Sequence, residues 1–174
     1  MKKFLLLSGL ALLFIAGCSF EFSGGSSKEK GPLTLQLTKV DEEEGYTIED
    51  SPLYTELESF IEENPKQGAA NDFSMFVIDV LEDAGQSQLL LLGVNRLDEP
   101  IKDISFDFSL GNSDGEMVWE DLPVTLSADE FGAFKVDHAM PILLPIEEEQ
   151  IDVINTMTED NQVFEMNNFD YESE

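Results

Sequence analysis

Two apolar stretches, FSMFVIDVL (residues 73–81) and LLLLGV (residues 89–94), decide the fold of this chain. A strand with one wet face alternates apolar and polar residues, whereas these two stretches are apolar on both faces. We therefore predict that they are central strands of a β-sheet. Ala84-Gly85-Gln86 lies between them and contains a glycine, so a hairpin turn is expected there.

Alternation of apolar and polar residues predicts further strands on both sides of this pair. Asp114-Gly115 is a strong hairpin signal between two of them. Pro141 and Pro145 bracket an extended segment that is expected at a sheet edge, because proline lacks the N–H that a central strand uses. The remaining predicted strands lie around residues 33–38, 104–110, 116–120, 124–126, 134–140, 151–153 and 162–166.

One short helix is predicted near the N-terminal side, at about residues 52–63. Ser51 suits its N-cap and Pro52 its first turn. The helix is expected to end at Asn64-Pro65, because a residue before proline avoids helical geometry. Its apolar residues recur at helical spacing and share one face: Leu53, Leu57, Phe60 and Ile61.

These short strands, with turn signals between them and no strand–helix alternation, predict a mainly β protein with a β-sandwich fold. The predicted sandwich domain spans residues 33–166. The chain ends in an acidic segment, NNFDYESE (residues 167–174), which is expected to fray as a tail.

The segment GVNRLDEPIKDISFDFSLGNSDGEMVW (residues 93–119) resembles the central strands of immunoglobulin-like modules on the surface of Gram-positive bacteria. In those modules an asparagine after an apolar strand precedes a loop and an amphipathic strand. AFKVDHAMPILLPI (residues 133–146) corresponds to a later strand pair. The resemblance implies an immunoglobulin-like β-sandwich, and it rests on hydrophobic pattern.

The N-terminus carries a different signal. Lys2 and Lys3 precede a short apolar run that ends in small residues, which is typical of a secretory signal peptide over residues 1–17. The run is shorter than the roughly 20 residues needed to span a bilayer. Ile15-Ala16-Gly17-Cys18 resembles the lipobox of bacterial lipoproteins, although leucine is commoner at the position of Ile15.

The lipobox resemblance implies that the thiol of Cys18 receives a diacylglyceryl group and that Cys18 becomes the new N-terminus. Two acyl chains suffice for stable membrane anchoring. The protein is therefore expected on the outer face of the bacterial cell membrane. Residues 18–32 are expected to form the lipidated, flexible tether, because they are rich in glycine and serine.

Charge limits the possible partners. The chain has 37 acidic and 9 basic residues, for a formal net charge of −28. This excess disfavours binding to nucleic acid and direct docking on anionic lipid. An acid-rich surface is explained either by adaptation to the surrounding medium or by a cationic or basic partner, and composition leaves both explanations open.

Candidate chemistry is sparse. His138 is the only histidine, and we interpret it as a structural residue at the core or its rim. Trp119 is interpreted as a core residue, although a tryptophan can also anchor a partner. No cofactor and no metal ligand set is predicted, because KVDEEEG (residues 39–45) and GNSDGE (residues 111–116) both lack the first acidic ligand of a calcium loop.

These observations predict a membrane-anchored, extracytoplasmic lipoprotein that acts as a non-catalytic interaction module of the cell envelope. Its expected partners are the membrane, through Cys18, and an envelope protein or a wall polymer. The alternative is a cation-responsive, calcium-binding surface module. An enzyme is the third and least favoured class.

Overall fold

The computed structural model describes residues 31–83, 85–158 and 160–174. Cys18, the signal peptide and most of the tether lie outside these residues. The described chain forms seven strands and three helices: β1 Thr34–Leu35, α1 Lys39–Glu44, α2 Pro52–Glu63, β2 Phe73–Asp83, β3 Gln86–Asn95, β4 Ile101–Asn112, β5 Met117–Leu126, β6 His138–Ile146, α3 Glu148–Thr156 and β7 Gln162–Ser173.

The strands form two sheets that pack face to face, as predicted for a β-sandwich. The four-stranded sheet has the order β1-β6-β3-β2, and the three-stranded sheet has the order β5-β4-β7. All neighbouring strands are antiparallel except β1 and β6, which are parallel. The two predicted hairpins, β2–β3 and β4–β5, are both present.

The four-stranded sheet is buried on both faces, which explains the two stretches of unbroken apolar sequence. One face packs against the three-stranded sheet, where Leu89, Phe108 and Met140 belong to one large core. The other face is covered by α2, where Leu57 packs with Leu90 and Leu92. The molecule therefore has three layers: helix α2, the four-stranded sheet and the three-stranded sheet.

Strands β2 and β3 differ from each other in one respect. β3 lies between β6 and β2 and is central, as predicted. β2 is an edge strand, although the sequence predicts that it is central. Its apolar pattern arises because both of its faces are covered: Phe73 and Met75 face the core between the sheets, and Phe76 faces α2.

The prediction of a strand at residues 151–153 is wrong, because these residues belong to helix α3. Ile151, Ile154 and Met157 recur every three residues and pack against the core between the sheets. The helix start is fixed by Gln150, whose Oε1 accepts a hydrogen bond from the Glu147 N–H at 2.7 Å. α1 and α3 therefore add two short helices to the predicted one, whose bounds of 52–63 are confirmed.

The prediction that residues 167–174 form a frayed tail is also wrong, because β7 continues to Ser173 and pairs with β4. A bulge at Asn168, which has φ 52°, shifts the alternation by one residue. Phe169 therefore faces inward and stacks on Phe73, with ring centroids 5.4 Å apart. The sandwich domain thus extends beyond the predicted end at residue 166.

The resemblance to immunoglobulin-like modules is limited to the two-sheet architecture. Constant immunoglobulin domains have the strand orders A-B-E-D and C-F-G. Here the last strand of the chain, β7, pairs with β4, and the first strand, β1, pairs with β6. The connections between strands consequently differ from those of an immunoglobulin domain.

Candidate functional site

The predicted lipid-attachment residue, Cys18, lies outside the described residues. The described chain begins at Gly31, one residue before Pro32 and shortly before β1. None of the described helices is long and apolar enough to cross a membrane.

His138 lies at the start of β6 and is half-buried. Its ring Nδ1 is 2.8 Å from the carbonyl oxygen of Val136, and its backbone is in register with Thr34 of β1 and Asn95 of β3. This position at the rim of the sheet agrees with the structural interpretation of the histidine.

Acidic clusters occur at residues 41–44, 98–99 and 147–149, and they have distinct structural positions. Asp41 lies in the first turn of α1, where its carboxylate accepts hydrogen bonds from Thr38 Oγ1 (2.7 Å) and from the Tyr54 hydroxyl. Glu99 accepts a hydrogen bond from the Tyr171 hydroxyl at 3.2 Å. Glu147 to Glu149 begin helix α3. Among the described residues no three His, Cys, Asp or Glu side chains are grouped so that they could hold a metal ion.

Two tyrosines and one carboxyl have altered proton affinity. Burial and the Asp41 carboxylate raise the pKa of the Tyr54 hydroxyl well above its ordinary value of 10.0. Burial, together with Glu99, raises the pKa of Tyr171. Burial also raises the pKa of Asp72, although its hydrogen bond from the Phe73 N–H opposes this effect. Each of these pKa shifts has a structural cause.

A buried polar pair lies at the end of β3: Asn95 is its last residue, and Arg96 follows it. Arg96 is the only arginine of the chain, and it is 1% exposed. Its guanidinium donates to Asp137 Oδ1 at 2.8 Å. It also donates to three carbonyl oxygens, those of Gly31 (2.7 Å), Pro65 (3.0 Å) and Gln67 (3.0 Å).

These contacts join three separate segments at one end of the four-stranded sheet. Asn95 extends the network, because its amide donates to the carbonyl oxygens of Glu99 (3.0 Å) and Phe134 (2.9 Å) and accepts from the Leu97 N–H (2.9 Å). Arg96 thereby holds Gly31, the first of the described residues. The sequence analysis did not predict this structural role of Arg96. The signal that could have indicated it is a single arginine placed directly after an apolar strand in an acidic chain.

Trp119 is half-buried on β5, not fully buried as its interpretation as a core residue implies. Its ring packs against Phe108 of β4, with centroids 5.8 Å apart. The remaining surface of the ring faces a groove of about 340 Å³ between β5 and β6. We call this feature the β5–β6 groove, and its lining residues are Trp119, Leu122, Pro123, Val124, Thr125, Leu126, Glu130, Phe131, Ile142, Leu143, Leu144 and Pro145.

The groove exists because two sheet edges face each other there. β5 is the edge of the three-stranded sheet. β6 is covered by β1 only at His138 and Ala139, so its remaining length is open on that side. The apolar residues between the two edges form the floor of the groove, and Leu143 at its margin is 37% exposed.

Proline interrupts the backbone donors of both edges. The Ala139 carbonyl accepts from the Gln36 N–H at 2.8 Å on the β1 side. Backbone groups alternate in direction along a strand, so those of residues 141, 143 and 145 point to the same open side. Pro141 and Pro145 have no N–H, and Pro123 removes a donor from β5. An added strand would therefore find few donors, which protects both edges from pairing with another chain.

The rim of the groove is acidic. Glu130 lines it, and exposed Glu120 directly follows Trp119 on β5. Exposed Glu147 and Glu148 directly follow Ile146, the last residue of β6. This segment is held near β5 by the hydrogen bond from Gln150 Nε2 to the Val118 carbonyl (2.6 Å). Acidic residues thus accompany both strands that form the apolar floor.

Comparisons with protein-family models, curated proteins and solved structures found no match to this chain.

Proposed function

We propose that this protein is a lipid-anchored lipoprotein on the outer face of the bacterial cell membrane, where its β-sandwich acts as a non-catalytic interaction module of the cell envelope. The observation that carries the anchor is the lipobox-like sequence Ile15-Ala16-Gly17-Cys18 after a charged start and an apolar run. The diacylglyceryl group on Cys18 supplies two acyl chains, which hold a protein stably at a bilayer.

The position of the domain start supports this arrangement. Gly31 lies thirteen residues after Cys18 and is held by the hydrogen bond from Arg96. Gly-Ser-rich residues 18–32 therefore connect a lipid to a fixed point on the sandwich. The tether carries Lys28 and Lys30, whereas the domain is strongly acidic and is repelled by anionic headgroups.

The chemistry of the groove supports an interaction module over an enzyme. Active sites combine an apolar pocket with several convergent polar groups of altered pKa. The β5–β6 groove offers an apolar floor with Thr125 and Glu130 as its polar members. Such a surface is suited to hold a side chain of a partner, and sheet edges and loops are common interaction surfaces.

The anchor is tested by replacing Cys18 with alanine. We expect the wild-type chain to incorporate labelled fatty acid and to partition into detergent, and the Cys18→Ala variant to lose both properties. A matched control carries Cys18→Ala together with Ser23→Cys, which restores a thiol in the tether outside the lipobox. This control should also remain unlabelled. Labelling of the Cys18→Ala variant would refute the anchor.

A further inference from the structure

We propose that the β5–β6 groove is the docking surface of the module, and that its partner is a basic polypeptide segment that inserts one apolar side chain between flanking lysines or arginines. This inference rests on the proposed function as an interaction module and specifies its site and the chemistry of its partner. It is independent of the lipid anchor, because every residue that carries it lies within the described domain.

The first argument is the size and composition of the groove. Binding pockets in proteins range from about 300 to 1,000 Å³, so a groove of about 340 Å³ suits one or two side chains. Leu143 is one of three large hydrophobic residues that are exposed among the described residues, and Trp119 is half-buried. Tryptophan is among the residues that are enriched where partners bind.

The second argument concerns how a partner can bind. Because Pro123, Pro141 and Pro145 remove N–H donors from the two edges, main-chain pairing contributes little there. A partner is therefore held by side-chain insertion. The same prolines disfavour a second copy of this chain, since edge-to-edge pairing is blocked and two strongly acidic domains repel each other.

The third argument is electrostatic. Glu130 lines the groove, and exposed Glu120 and Glu147 directly follow Trp119 of β5 and Ile146 of β6, the two strands that form it. Lys39 lies near the groove, since its backbone N–H donates to the Phe131 carbonyl, but its ammonium group is 3.7 Å from Asp129 and is already paired. Lysines or arginines beside the inserted side chain complement this rim, whereas anionic wall polymers are repelled by it.

The experiment uses the single tryptophan of the chain as its reporter. The mature protein, reconstituted in uncharged phosphatidylcholine vesicles, is titrated with a short synthetic peptide that has one leucine between two pairs of lysines. Trp119 emission is recorded, with empty vesicles as the blank. We expect saturable binding that weakens about threefold or more between 0.05 and 0.5 M NaCl, because screening reduces the charge attraction.

Two control peptides separate the contributions. Replacing the leucine by glycine should weaken binding about tenfold, and replacing the lysines by glutamates should abolish it. If either control peptide binds as well as the first peptide, the proposal is refuted. A shift of Trp119 emission by a soluble polyol-phosphate polymer, with no shift from the lysine peptide, also refutes it, as does salt-independent self-association that buries Trp119.

Paired variants locate the site. Leu143→Asn removes the apolar margin of the groove at an exposed position without adding charge, and we expect about tenfold weaker peptide binding with an unchanged urea midpoint. Val40→Asn makes a similar change on α1, at a side chain of similar exposure (36% against 37%), and should leave binding unchanged. Equal loss in both variants would overturn the proposal.

The outcome is distinguishable from failure of the lipid anchor. If Cys18 is not acylated, the protein does not float with the vesicles, and the same titration is read on the soluble protein. Peptide binding without acylation would refute the anchor and support the groove. Acylation without peptide binding would support the anchor and refute the groove.

Discussion

Replacing Asp137 by asparagine tests whether the charge of the Arg96–Asp137 pair stabilises the fold. The Arg96 side chain is 2% exposed and that of Asp137 is 26% exposed, with 2.8 Å between Nη1 and Oδ1. Asp137 has φ 58°, a left-handed conformation that asparagine tolerates as well as aspartate. The substitution therefore keeps the backbone and an acceptor oxygen, and removes only the negative charge.

The magnitude follows from the other partners of Arg96. Breaking a fully buried ion pair costs about 3–5 kcal/mol when the remaining charge has no partner. Here the guanidinium keeps the carbonyl oxygens of Gly31, Pro65 and Gln67. Asp137 also contacts solvent, which reduces the contribution of its charge. The loss is then the difference between a charge-assisted and a neutral hydrogen bond, and we expect about 1–2 kcal/mol.

Urea denaturation measures this loss. With a slope of about 2 kcal/mol per molar urea, the midpoint should fall by roughly 0.5–1 M with the slope unchanged. The matched control is Asp129→Asn, which removes the partner of Lys39 from an exposed pair and should change stability by less than about 0.5 kcal/mol. Equal midpoints for wild type and Asp137→Asn would show that the three carbonyl oxygens alone stabilise the buried guanidinium.

Three further predictions concern other polar groups and the net charge. Asn95→Ala should destabilise by about 2–3 kcal/mol in urea melts, because the Glu99 carbonyl and the Leu97 N–H lose their bonds to Asn95, whereas the Phe134 carbonyl keeps the Ile101 N–H. Asn155→Ala, on the exposed side of α3, should have little effect and serves as the control. Tyr54→Phe should cost about 1–2 kcal/mol at pH 7. The pKa of Tyr54 is raised in the folded state, so the contribution of its hydroxyl to the free energy of unfolding is constant below pH 10 and is lost as the pH rises above it. Between pH 9 and 11 the urea midpoint should therefore fall less steeply with pH for Tyr54→Phe than for wild type. Finally, the urea midpoint should rise with NaCl from about 0.01 to 0.5 M, because the Debye length falls from about 30 Å to below 10 Å. Acidification should add stability, since the raised pKa of Asp72 means that its carboxyl binds a proton more readily in the folded state; a midpoint independent of both salt and pH would contradict the charge argument.

The sandwich was predictable because its signals are local and periodic. Unbroken apolar runs at β2 and β3 reflect a sheet that is covered on both faces, and Asp114-Gly115 forms the expected turn. The alternation of apolar and polar residues gave a wrong prediction where a bulge changes the period of the strand. Before the bulge at Asn168 the inward residues of β7 include Phe164, and after it they include Phe169, which has the opposite parity. A search for strict apolar–polar alternation therefore misses the second half of β7.

The candidate site was less predictable, because its parts come from distant segments. Ile151 and Val153 are compatible with either a strand or a helix, and only the packing of Ile154 and Met157 against the sheets identifies α3. The β5–β6 groove depends on the short length of β1, which leaves the outer side of β6 open. Nothing in the local sequence around Trp119 specifies which strand lies opposite.

The pairing of β1 with β6 has a consequence for the order in which the chain folds. β1 belongs to the first segment of the domain to be synthesised, yet Gln36 just after it makes side-chain hydrogen bonds with Ala133 and Lys135, 97 and 99 residues later. Contacts of such long sequence separation form late, because closing a long loop costs entropy before the contact can stabilise anything. The hairpins β2–β3 and β4–β5 can form as soon as they are made. The segment that joins the tether to the domain is therefore expected to be among the last parts of the molecule to become ordered.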